Sequence, residues 1–113
     1  MERNKLLDKF LEMKCKQMLL KLWLMAKPGY VGNEIDFCMK YVDVQAKLDS
    51  VEEEMLELLQ ANEIFFRGAD LEGYCQEYKI STNRQKEISK EILGREYAVE
   101  DLAELLAKKW RNR

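Results

Sequence analysis

A chain of 113 residues, 47% apolar and 35% charged, has the size and composition of one folded domain spanning residues 1–113. Its richness in Leu, Met, Glu and Lys, with one Pro and five Gly, favours helices and excludes a sandwich or barrel, which needs many turn signals. A net charge of −2 is a poor prior for a general nucleic-acid binder, and the longest apolar run, 18–26, is interrupted by Lys21 and too short to span a bilayer.

A first helix is expected over about 3–26. Leu7, Phe10, Leu11, Cys15, Met18, Leu22 and Met25 recur at three- and four-residue steps, with Lys5, Lys9, Glu12 and Lys16 on the opposite face. Its second half is apolar nearly all round and contains Trp23, so neighbours on several sides are expected to enclose it. The start of this helix, Met-Glu-Arg-Asn-Lys, lacks the features of a secretory signal. The stretch 27–33, with Pro28, Gly29 and Gly32, reverses the chain, and Asn33 is the expected N-cap of the next helix.

The second helix is expected over about 34–62. Phe37, Tyr41, Val44, Leu48, Val51, Met55 and Leu58 alternate by four and three without a break, the signature of a coiled-coil seam. A second apolar strip, Ile35, Cys38, Met39, Val42 and Ala46, then Leu56 and Leu59, flanks it, and one neighbour cannot cover both. Antiparallel folding of the two helices sets Glu52, Glu53 and Glu54 opposite Lys5 and Lys9. The seam therefore reads as the centre of a bundle, met on one side by the first helix and on the other by C-terminal helices or a second chain.

Ile64, Phe65 and Phe66 form a dense apolar knot, and Leu71, Tyr74, Cys75 and Tyr78 at helical spacing predict a short helix over about 70–79. Thr82 and Gln85 have the spacing of a capping box and open the C-terminal helix or helices over about 82–111, with Gly94 either ending one helix or tolerated inside it. The fold class is all-α: an antiparallel helical hairpin with C-terminal helices packed across it as a three- to four-helix bundle. Net charge is +4 over residues 1–28, −8 over 29–80 and +2 over 81–113, the alternation of segments made to pack on one another.

Catalytic motifs are sparse. With no His, Ser–His and Cys–His nucleophilic chemistry and the commonest metal ligand are removed. The glycine positions fit neither a P-loop nor a dinucleotide-binding turn. Three well-separated cysteines, Cys15, Cys38 and Cys75, read as reduced core thiols of a cytoplasmic protein. Glu54 and Glu57 share a helix face as the ExxE half of a magnesium site in all-helical nucleotide pyrophosphatases does, but the downstream ExxD half is missing, and a solvated acidic face is the simpler reading. Lys108, Lys109, Trp110, Arg111 and Arg113 are the residues with which a nucleic acid would be gripped, against the simpler role of cations at a helix C-terminus. A helix-turn-helix over 84–93 and beyond is disfavoured by Lys90 and Glu100 at packing positions.

The function expected is therefore non-enzymatic. A small helical interaction module, acting as a homodimer or with another protein, presents a helical face to its partner, with Ile64, Phe65, Phe66, Tyr74 and Tyr78 as the candidate contact residues. No cofactor, metal or small-molecule substrate is implied, a membrane is not expected, and nucleic-acid binding is the alternative.

Overall fold

Twenty-four residues without Gly or Pro form α1 (Arg3–Ala26), and twenty-seven more form α2 (Ile35–Ala61). The computed structural model describes residues 3–32 and 34–112, without the side chains of Arg3 and Asn4, and the expected cap Asn33 lies outside them. Glu34 stands at the N-cap position of α2 with no side-chain cap bond. α1 ends where Lys27 turns left-handed (φ 47) and its N–H closes onto the Trp23 carbonyl at 2.8 Å. Gly29 and Gly32 supply the further positive φ angles that let the chain reverse.

The two helices form the expected antiparallel hairpin. At its closed end Trp23, 2% exposed, stacks on Phe37 at 5.3 Å, and Tyr41 and Tyr30 pack beside them. At its open end Leu6, Leu7 and Phe10 meet Met55 and Leu58. Every seam residue of α2 is buried or half-buried.

The rest of the chain folds back over α1. α3 (Glu63–Arg67) is a single turn that inserts Phe66, and α4 (Leu71–Glu77) is capped by the Asp70 carboxylate, which accepts from the Gly73 N–H at 2.9 Å. A Cβ on Gly73 would sit 2.3 Å from an Asp70 carboxylate oxygen, so a larger residue there would make the Asp70 side chain shift. α5 (Thr82–Leu93) starts one residue earlier than its capping pattern suggests. Ser81, not Thr82, is the N-cap, and its hydroxyl accepts from the Arg84 N–H at 3.3 Å. Gln85 is used elsewhere: it donates to the Ile80 carbonyl and accepts from the Val99 N–H. Gly94 ends α5 in the left-handed conformation (φ 79), so the C-terminal stretch is two helices.

The fully buried Ser89 then fixes the bend. Its hydroxyl donates to the Arg95 carbonyl at 2.6 Å and accepts from the Tyr97 N–H at 3.0 Å. α6 (Val99–Arg111) begins at Ala98, whose N–H is held by Asp101.

α1 packs against α2, α4, α5 and α6, so α1, not the seam of α2, is the centre of the bundle. The near all-round apolar character of α1 explains this placement. The same placement turns its stripe: Leu19, Leu20, Trp23 and Leu24 are buried, whereas Met18 and Met25 of the expected stripe are 42% and 56% exposed. The molecule is elongated, 47 × 25 × 24 Å, with a radius of gyration of 15.6 Å against roughly 13 Å for a compact domain of this length. Its accessible surface is 7962 Å², where roughly 6,500 Å² is usual for a monomer of 13.4 kDa.

Candidate interaction surface

A helix turns 100° per residue, so the residues of α2 that lie opposite the seam are fixed once the seam is packed. Phe37, Tyr41, Val44 and Leu48 face α1. Ile35, Met39, Val42 and Ala46 therefore point directly away from the core, on a line with the same four-three-four spacing. Ile35 is 77% exposed, Met39 67% and Val42 68%, and with Cys38 and Glu34 they line a shallow apolar depression. No other helix lies over this face among the described residues: α4, α5 and α6 all gather on α1.

The line changes character at its C-terminal end. Asp49 and Glu53 continue it as exposed carboxylates before Leu56, which is 54% exposed. Along one flank run Asp36, Lys40, Asp43 and Lys47. Lys47 pairs with Asp43 at 3.1 Å and donates to the Ile92 carbonyl at the end of α5, while the Lys40 ammonium lies 5.5 Å above the Trp23 ring. Cys38 is exposed, at odds with its expected place in the core; Cys15 is buried and Cys75 half-buried.

The residues nominated from the sequence do not form one surface. Phe66 is 7% exposed and packs on Phe10 at 6.1 Å, because the short α3 must cover the open end of the hairpin; it is core, not contact. Phe65 is half-buried edge-on against Phe66, and Ile64 alone of the knot points outward, 90% exposed. The Tyr74 hydroxyl donates to the Asp8 carboxylate, tying α4 to α1, and this bond above all pushes its pKa up to about 12. Tyr78, 52% exposed, packs its ring on Tyr74 at 4.7 Å.

In the basic tail, Lys109 donates to the carbonyls of Ala26 and Lys27, so it closes the C-terminus of α1 and is not a spare cation. Lys108 is exposed, Trp110 is 65% exposed, and Arg111 donates back to Ala107. Arg113 lies outside the described residues.

Glu54 and Glu57 are exposed and share a groove with Lys9, and among the described residues no three His, Cys, Asp or Glu side chains are grouped to hold a metal ion. The expected opposition of Lys5 and Lys9 to the acidic run forms no ion pair among the described residues; Glu52 instead accepts from the Gln17 amide at 3.4 Å. The ion pair that does join distant segments is Arg84 to Glu12, at 2.8 Å, between α5 and α1.

A cleft of about 320 Å³ between α1, α4 and the starts of α5 and α6 brings Cys15 and Cys75 to one wall with Met18 and Ile80. Burial, and after it Glu12, pushes the Cys15 thiol up to about 11, and burial raises Cys75 too, so neither is poised as a thiolate nucleophile.

The outer strip of α2 is legible in the sequence as a pattern, whereas the contact residues expected from the sequence are those of the aromatic knot and of Tyr74 and Tyr78. Only the packing of α3 under the hairpin reverses that expectation. No helix among the described residues is long and apolar enough to cross a membrane. The chain matches no protein family, no curated protein and no solved structure with which it was compared.

Proposed function

We propose that this chain is a non-enzymatic helical interaction module that engages a protein partner through the outer face of α2. The observation that carries the reading is the strip Ile35, Met39 and Val42, each about two-thirds exposed or more, at heptad spacing on the side of α2 turned away from its own core. Scattered exposed apolar residues are ordinary, but a contiguous line of them at helical spacing is the form in which one helix is read by another. The elongated shape gives an accessible surface roughly 1,500 Å² above the usual for this mass, which leaves room for the roughly 800 Å² that each partner gives to a standard interface.

The free thiols, one of them exposed at Cys38, suit a reducing, cytoplasmic setting. Nucleic-acid binding through α6 loses Lys109 to the end of α1, which leaves a small electrostatic footprint. Photo-crosslinking in the cells that express the chain tests the proposal. A photoreactive residue at Met39 is expected to give a discrete protein adduct, and the same residue at the exposed Glu91 of α5 to give none. An adduct at neither position, or equally at both, would sink it.

A further inference from the structure

Resting on that reading, we infer that the occupant of α2's outer face is a helix of another protein, apolar over about three turns and basic over about the next two. The four-three alternation of Ile35, Met39, Val42 and Ala46 does not stop there. It runs on through Asp49 and Glu53 to Leu56, one line of about six turns and roughly 32 Å. A helix packed along this line meets apolar side chains first and two carboxylates afterwards. Carboxylates enclosed in a helix seam are costly unless cations face them. The side chains opposite Asp49 and Glu53 are therefore those of Lys or Arg.

The charge along the C-terminal half of α2 points the same way. Residues 48–62 hold five acidic and no basic side chains. Asp49, Glu53 and Glu57 follow one another at four-residue steps, an arrangement of like charges that weakens a helix. No basic residue stands in the last turn of α2 to offset them. Asp49 accepts from the neutral amide of Gln45 at 3.2 Å, and among the described residues none of the three carboxylates pairs with a cation. Lys9, across the groove from Glu57, is no exception.

The free chain thus carries an acidic face of uncompensated repulsion in line with its apolar strip, and a cationic helix relieves that repulsion as it binds. A second α2 offers no spare cation for this. Lys47 is held by Asp43 and the Ile92 carbonyl, and Lys40 lies over the Trp23 ring of its own bundle. The partner helix is accordingly a different one.

The test neutralises the two carboxylates at nearly constant size, in Asp49→Asn, Glu53→Gln, and is read twice. In the purified chain the double variant is expected to melt about 2–6 °C higher than wild type, because the like charges are gone. In cells, with the photoreactive residue at Met39, the same variant is expected to lower the adduct at least about fivefold. The partner segment in the wild-type adduct is expected to carry Lys or Arg about 10 and 14 residues from the crosslinked position, the spacing from Met39 to Asp49 and Glu53. Neutralising the exposed Glu72 and Glu77 of α4 by the same exchange controls for net charge and is expected to leave the adduct unchanged. A melting temperature equal to or below wild type, an undiminished adduct, an equal loss in the control, or a partner segment without those cations overturns the cationic helix. In each of these cases a discrete wild-type adduct at Met39 leaves the interaction reading standing, with a partner of other chemistry. Absence of that adduct from the wild type removes both.

Discussion

Lys109 separates a structural tail from a binding tail. Its ammonium donates to the carbonyls of Ala26 and Lys27, two of the acceptors left over at the end of α1, with the negative end of that helix dipole beneath it. Lys109→Met keeps the aliphatic stem and removes the donors. A hydrogen bond from a charged group contributes ~1.5–3 kcal/mol when well shielded. Lys109 is exposed, so the loss is put at about 1–2 kcal/mol. With an unfolding entropy near 2.1 cal/mol/K per residue, that lowers Tm by about 4–8 °C for this chain length. Lys108→Met, one residue away with no such bonds, is expected within about 0.5 kcal/mol of wild type. Thermal unfolding followed by circular dichroism reads both. Equal Tm values for the two variants, or a larger loss in Lys108→Met, would refute the capping role and return the tail to the nucleic-acid alternative.

Three further outcomes are expected. Ser89→Ala leaves the part-buried N–H of Tyr97 and the Arg95 carbonyl without their partner and costs about 1–2 kcal/mol, read by chemical denaturation; a neutral effect would mean that the α5–α6 bend is held by packing alone. The bond from Tyr74 to Asp8 needs the phenol protonated, and its folded pKa of about 12 lies above the ordinary phenol value of 10.0. Its stabilisation is therefore complete below about pH 10 and is lost as pH rises toward 12, and Tyr74→Phe should remove that part of the alkaline slope. A Tyr74→Phe protein with an unchanged slope would contradict it. Thiol labelling of the native protein should modify exposed Cys38 first and Cys75 more slowly, with Cys15 reacting only on unfolding; early modification of Cys15 would contradict its burial.

Periodicity alone makes the hairpin legible in the sequence. The unbroken four-three alternation from Phe37 to Leu58 has only one buried solution, and the glycines and proline after Ala26 leave only a short reversal. Three things were less visible. Which helix sits at the centre depends on where the C-terminal helices land, and a helix as apolar as the second half of α1 gives no preferred face from sequence. The N-cap at Ser81 was masked by the equally good pattern of Thr82 and Gln85, and Gln85 proved to serve two backbone groups across the bend. Phe66 looked like contact surface because its burial depends on α3, a single turn too short to announce itself. The outer strip, by contrast, is written in the sequence as an apolar line that no single neighbour could cover; what the fold adds is that, among the described residues, no other helix lies over it.

The size of the particle this chain forms in its own cell tests the claim most directly, whoever the partner is. Gel filtration of a gentle lysate, with detection of the tagged chain, should place the wild type well above its 13.4 kDa mass and Val42→Glu at the monomer position. Val42 is 68% exposed, so its folding should be unaffected and its helical circular dichroism unchanged. Coincident elution of the two proteins, at either position, would contradict the assignment of the outer face of α2 as the surface by which this protein works.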